Sequence, residues 1–183
     1  MATPRLETLS EIEAAAWMEL ARAASDRSHA WRTPVLATVD GAAADARTVV
    51  LREVDASSHT LLFFTDSRAG KVRQARGRPQ GTLVFWSPAL GWQLRCAVTL
   101  QVEDTGLAVA SRWATIKLSP AAQDYLSPLP PGAPRDAAVP ALAQRENFAV
   151  VTAAVQAIDW LELHPDGHRR ARFSSAGGCW LQP

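Results

Sequence analysis

Cysteine is scarce in this 183-residue chain: Cys96 and Cys179 are the whole complement. Two thiols are too few for a disulfide framework, and no CxxC spacing offers a zinc site. Long apolar runs are missing as well, since no uninterrupted stretch approaches the roughly 18–20 residues that span a bilayer. The opening residues MATPRLETLSEIEAAA carry acids where a signal peptide has its apolar core. An excess of one charge is also lacking: 19 Lys+Arg stand against 18 Asp+Glu, for a net charge of +1. Near-neutrality argues against duplex DNA or an anionic membrane surface as a bulk partner. A membrane protein, a disordered tail, a disulfide-rich toxin and a secreted precursor are thereby disfavoured. The expected compartment is the reducing cytoplasm.

What remains is the composition of an ordinary globular protein, 48% hydrophobic and 20% charged. The length suits one domain over 1–183, with an N-terminal helix and lead-in over 1–33 and a β-rich body over 34–183. Residues 8–28 predict a helix, because Leu9, Ile12, Ala16, Leu20 and Ala23 recur at helical spacing and Ser10 with Glu13 forms a capping-box pair. From Pro34 the pattern becomes strand-like: 35–39, 47–54, 60–65, 82–86 and 92–103, punctuated by turn residues such as Asp40–Gly41. Short helices are expected over 67–76 and 107–118. The stretch 127–140 holds Pro128, Pro130, Pro131, Pro134 and Pro140, which forbids a regular element and predicts a loop. Strands at 150–152 and 158–163 and a closing hairpin at 169–173 and 180–181 complete the count at about seven. Short strands joined mostly by tight turns favour an antiparallel sheet curled into a barrel, mainly β with peripheral α.

Four segments carry side chains suited to binding chemistry. Strand 47–54 begins with Arg47 and continues to Arg52; simple pleating puts the two guanidinium groups on opposite faces, where they either reach different parts of an extended ligand or are solvated strand ends. The turn after strand 60–65 combines Thr65, Ser67, Arg68 and Lys71 at a helix start, a constellation suited to phosphate and also compatible with a basic surface turn. No Walker loop or GxGxxG occurs, which excludes a standard triphosphate or dinucleotide site. Trp86 and Trp92–Gln93 could flank a flat heterocycle, or the indoles could simply fill a core. Finally, residues 164–173 gather His164, His168, Arg169, Arg170 and Arg172, able to grip an anion or to form a solvated basic hairpin; the spacing of the imidazoles gives little support to a metal site.

In order and spacing, RTVVLREV, FFTDSRAGKVRQ and GTLVFWSPALGWQLRCAV resemble the pyridoxamine 5′-phosphate oxidase-like, FMN-binding split-barrel family, in a form closer to a divergent bacterial branch than to the vitamin B6 enzyme. The resemblance implies an antiparallel split β-barrel with FMN as cofactor. It implies that Arg47, Lys71 and, displaced along the turn, Arg68 hold the FMN phosphate. The backbone of Arg47, Thr48, Val49, Val50, Leu51 and Arg52 would run along the flavin, with Phe64 and Thr65 beside it. It further implies a homodimer with FMN at the interface, Gln93 and Arg172 coming from the other chain. His168 and Arg170 would bind an unidentified small, anionic substrate, whose hydride passes to flavin N5. Three departures bear on the vitamin B6 reaction: Arg52 replaces a Lys, Leu161 falls where an aromatic packs near the flavin, with Trp160 beside it, and His168–Arg169–Arg170 stands, with a gap, for Arg-Leu-His.

Two other functions remain open on sequence. One is a non-catalytic FMN-binding protein for storage, sensing or electron delivery. The other is a barrel that stacks single-stranded nucleic acid on tryptophan, which the balanced charge disfavours.

Overall fold

The first helix shows how the sequence begins to fold. In a computed structural model that describes residues 5–134, 136 and 146–183, α1 spans Leu9–Ser25. The capping box uses Thr8 and Glu11, two residues before the expected pair: the Glu11 amide donates to the Thr8 hydroxyl, and the Thr8 amide to the Glu11 carboxylate. The helix ends three residues short of the expected 28, and its inward face is the expected one, so Ile12, Ala16, Trp17, Leu20 and Ala23 are all buried. After the helix, a single 3-10 turn at Ala30–Arg32 is capped by His29, whose Nδ1 accepts from the Trp31 amide, and Trp31 drops into the core.

The strands β1 (Val35–Asp40), β2 (Ala43–Thr48), β3 (Leu51–Asp55) and β4 (Thr60–Asp66) follow, then α2 (Gly70–Gly77), β5 (Gln80–Ser87) and β6 (Trp92–Glu103). The expected single strand over 47–54 is divided. At Val49 the amide turns aside to the Pro34 carbonyl at 3.0 Å and the side chain is buried, so the ladder breaks between β2 and β3. Between β5 and β6 the turn needs Gly91, whose φ is +64° and where a Cβ would come within 2.6 Å of the Leu163 carbonyl oxygen.

The helices α3 (Leu107–Ile116) and α4 (Gln123–Leu126) lead to β7 (Phe148–Glu162), β8 (Arg169–Ser174) and β9 (Gly177–Leu181). Two short strands are expected from sequence where β7 runs unbroken for 15 residues. Its middle, Ala153, Ala154, Gln156 and Ala157, carries little intrinsic β preference; pairing with β6 on one side and with β4 and then β8 on the other imposes the extension. Gln156 is the extra residue where the β6–β7 register shifts, between the pairs Val98↔Val155 and Ala97↔Ala157.

All pairings are antiparallel, in the order β2-β1-β5-β6-β7-β4-β3, with β8 on β7 and β9 on β8. The path ends at β2 and β3, which are consecutive in the chain yet unpaired, so the barrel is split. α1 covers one group of buried side chains that includes Trp31, Phe85, Trp160 and Phe173. A smaller group, Leu62, Val109, Trp113, Ala122, Tyr125, Phe148 and Val150, sits beneath α3 and α4. Among the described residues no helix is long and apolar enough to cross a membrane. The Pro-rich stretch expected over 127–140 has no helix or strand at 127–134; residues 135 and 137–140 lie outside the described residues.

Candidate functional site

The seam beside β2 gathers polar side chains that chain order keeps apart. Asp45 and Arg47 sit two residues apart on β2 and therefore share a face, the face on which Thr38 of β1 is buried. One arm of the Arg47 guanidinium donates to Thr38 Oγ1 at 2.5 Å and the other to Gln74 Oε1 of α2 at 2.8 Å, while Asp45 pairs with it. Gln74 in turn donates to Asp45 at 2.7 Å and to Asp40 at 3.2 Å. One turn before Gln74, Lys71 directs its ammonium to Thr65 Oγ1 at 3.0 Å. Burial pulls the Lys71 ammonium below its ordinary pKa, and the nearby Arg47 charge pulls it further, with Asp66 and Asp45 partly opposing. Two cations held close enough to repel, beside a hydroxyl on a rigid strand, are a receptor for an anion. Arg47, Thr65 and Lys71 are thus brought together as a sequence reading requires. Thr38 and Gln74 escape it, although each leaves a signal: a polar residue at a position whose periodicity points inward.

Arg68 is placed differently. Its Nε and Nη2 donate to the two oxygens of buried Asp66 at 3.1 and 2.7 Å. The same guanidinium reaches the carbonyls of Ser127, Pro128 and Leu129 at 2.9, 3.2 and 3.3 Å. The cation therefore faces the segment after α4 rather than the Arg47–Lys71 corner.

Of the backbone stretch expected along the flavin, Val49 and Leu51 point into the core, Val50 is half-buried, and Thr48 is exposed at the seam. Arg52 lies with its Cζ 5.8 Å from the Phe64 ring centroid and its charge near the Tyr125 hydroxyl. Its buried Nε has no hydrogen-bond partner among the described residues. Arg52, Glu53, Phe64, Arg112, Thr115 and Ile116 line a cavity of about 250 Å³. Arg112 is held there by two 2.7 Å bonds to Glu53, so Arg52 is the cation in this cavity with hydrogen-bonding capacity to offer. Tyr125 is buried against Trp113 and Phe148, and burial raises its phenol above the ordinary value.

Gln93, Arg170 and Arg172 occupy the outer sheet face. β6 alternates strictly over its first nine residues: Trp92, Leu94, Cys96, Val98 and Leu100 are buried, which turns Gln93 and Arg95 outward. Gln93 stands opposite Trp86, which is 43% exposed. Arg170 makes bonds of 3.0 and 2.7 Å to Asp159, which also receives Arg95 at 2.7 Å. Arg172 borders a separate depression of about 190 Å³ with Thr82, Arg95, Ala97, Ala157 and Asp159. His168 is exposed in the β7–β8 turn, its Nδ1 accepting from the His164 amide at 3.2 Å. Neither depression includes a residue of the Arg47–Lys71 corner, so one chain leaves the outer-face residues and the seam residues apart.

Residues 14–104 match the family model described as pyridoxamine 5′-phosphate oxidase, FMN-binding domain. No curated protein sequence matches the chain. Among solved structures, a pyridoxamine 5′-phosphate oxidase-related, FMN-binding protein from Nostoc punctiforme PCC 73102 superposes with TM-score 0.71 at 21% identity, covering 98% of this chain and 100% of its own. PhzG from Burkholderia lata 383, in complex with tetrahydrophenazine-1-carboxylic acid, gives TM-score 0.71 at 16% identity over 100% of this chain and 98% of its own. A putative pyridoxamine 5′-phosphate oxidase from Listeria innocua gives 0.53 at 16%, over 80% and 95%. At these identities the structural likenesses establish the split-barrel fold; the family match establishes an FMN-binding domain.

Proposed function

The chain belongs to the pyridoxamine 5′-phosphate oxidase FMN-binding family, and from that premise we propose that it is an FMN-dependent oxidoreductase acting on a small anionic donor as a homodimer. The observation that carries the proposal is the corner of Arg47, Lys71 and Thr65. Burial, with the Arg47 charge second, holds the Lys71 ammonium below its ordinary pKa, and a phosphate dianion beside both cations would offset that cost. Gln74 and Thr38 orient Arg47, so the guanidinium is fixed before the ligand arrives. Bound FMN supplies the redox chemistry, and the protein supplies orientation and field.

The donor's place is the cavity at Arg52. A guanidinium over Phe64, next to apolar Ile116, fits a flat ring carrying a carboxylate or phosphate. The tetrahydrophenazine-1-carboxylic acid held by PhzG has that chemistry. In the homodimer, the exposed outer face with Val35 and Trp86 packs on its twin, and Gln93 and Arg172 of one protomer approach the seam of the other. Arg170 is already bonded to Asp159, so its contribution is to orient Arg95 and Asp159 on that face; His168, exposed in its turn, meets the donor.

The experiment is direct. The purified protein is expected to be yellow, to release FMN on heat denaturation, and to sediment as a dimer. Trp86→Glu is expected to give a monomer with weakened FMN binding. A colourless protein that fails to quench added FMN fluorescence overturns the proposal. A non-catalytic FMN carrier is the second reading, favoured by the pairing of Arg170 with Asp159 in place of a free anion grip. It predicts bound FMN with no substrate-dependent bleaching across anionic amines and aromatic acids.

A further inference from the structure

Arg68 is a basic residue beside an anion site, yet its guanidinium is turned to the segment that follows α4. We propose that Arg68 is a positioning residue, a latch that fixes Tyr125 and through it Arg52 in the donor cavity, and that it does not hold the cofactor phosphate. The inference rests on the reading above for the identity of the two sites, and on geometry for the latch itself.

The contacts form one connected path. Asp66 ends β4 and is buried, with a side chain only 3% exposed. It accepts from the Arg68 backbone amide at 2.8 Å and from the guanidinium at 2.7 and 3.1 Å, which fixes the side chain in one direction. The remaining donor capacity meets the Ser127, Pro128 and Leu129 carbonyls. The guanidinium meets both Asp66 oxygens and three successive carbonyls, more acceptors than the three donors of a lysine ammonium can serve. Ser127 is two residues past Tyr125. A second tie comes from the other side: the Asn147 amide donates to the Tyr125 carbonyl at 3.0 Å, and the Ser67 amide to the Asn147 carbonyl at 2.7 Å. Residues 66–68 therefore hold Tyr125 from both flanks. Tyr125 in turn lies against Arg52, the open cation of the donor cavity. The β4–α2 corner thus has two outputs: Thr65 and Lys71 face the phosphate corner, while Asp66 and Arg68 face the segment bearing Tyr125.

Tyr125 is the chain's single tyrosine, so its reactivity reports the latch without interference. The test compares the full-length protein with Arg68→Ala and Arg68→Lys, measuring nitration of Tyr125 by tetranitromethane through peptide mass spectrometry. FMN dissociation constants are taken by fluorescence quenching, and alkylation of core Cys96 reports global opening. Both variants are expected to nitrate Tyr125 at least about tenfold faster, because local opening no longer breaks the bonds of a charged group. Cys96 is expected to stay protected and FMN affinity to stay within about threefold. The proposal is overturned if Arg68→Ala loses FMN binding while Arg68→Lys restores it and Tyr125 remains protected, which is the behaviour of a phosphate ligand. It is equally overturned if Cys96 opens together with Tyr125. A wild-type chain that binds no FMN would sink the functional reading alone, since Tyr125 protection still reports the latch.

Discussion

Arg47 on the edge strand β2 and Gln74 on α2 meet through one 2.8 Å hydrogen bond, although 27 residues separate them in the chain. Through that bond a helix that otherwise packs on Val72 and Ala75 orients the main cation of the phosphate corner.

Replacing Arg47 with Ala removes a charged donor fork and strands Thr38 and Gln74. A hydrogen bond involving a charged group contributes about 1.5–3 kcal/mol, so FMN affinity is expected to fall roughly 10- to 150-fold. Fluorescence titration measures it. Thr38→Val, which leaves the charge and removes one bond that orients it, is expected to have a smaller effect in the same direction.

Lys71 gives a pH dependence with a definite sign. Its folded pKa lies below the ordinary 10.5, so the free protein gains stability as pH rises through that lowered pKa toward 10.5. Phosphate binding needs the protonated ammonium. FMN affinity is therefore expected to decline with rising pH, beginning below 10.5, and binding there should take up protons. Calorimetry in buffers of different ionisation heat detects that uptake; affinity that is flat up to pH 10.5 contradicts the assignment.

Glu162 holds the end of β7 to the N-terminal segment. Its buried carboxylate accepts from Arg5 at 2.8 Å, from Arg169 at 2.9 and 3.2 Å, and from the Trp92 indole at 3.3 Å. Burial alone would raise its pKa, but hydrogen bonds from Arg169, Arg5 and Trp92 outweigh it and hold the carboxyl below its usual 4.5. A depressed carboxylate stabilises the fold above its unfolded pKa, and that contribution disappears as pH falls through the folded one. Glu162→Gln is expected to cost about 3 kcal/mol at neutral pH. The gap in thermal midpoint from wild type should narrow below about pH 4.5.

The two thiols should behave oppositely. Cys96 is fully buried on β6 and burial pushes its thiol up to about 12, whereas Cys179 on β9 is exposed. Iodoacetamide under native conditions is expected to modify Cys179 alone, with Cys96 following only after denaturant. Rapid native labelling of Cys96 would contradict the packing of β6 against β5 and β7.

Much of the fold can be read locally. β6 was expected over 92–103 and occupies Trp92–Glu103, because strict alternation of large apolar with polar residues leaves one face to bury. The helix over Leu9–Ser25 follows from 3.6-residue periodicity, and its cap was misplaced only because Thr8/Glu11 and Ser10/Glu13 satisfy the same spacing rule. β7 was read as two strands because its alanine-rich middle has no local signal, and its neighbours supply the extension. Likewise, the division of β2 from β3 depends on Pro34, a residue outside both strands, accepting the Val49 amide.

For the site, the sequence by itself offered Thr65, Ser67, Arg68 and Lys71 as charged or hydroxylated residues at a strand end and a helix start, and the family resemblance added Arg47. The sequence also determined the inward and outward faces of β6, and so the exposure of Gln93. Tertiary structure decided which cations are available to a ligand. Arg68 is bound by carbonyls about 60 residues away, Arg170 by a carboxylate on the neighbouring strand, and the Arg52 Nε has no partner among the described residues. The physical reason is that a guanidinium goes to whichever acceptors the folded chain brings within about 3 Å. That proximity is a property of strand pairing and helix packing, not of the residues beside it in the sequence.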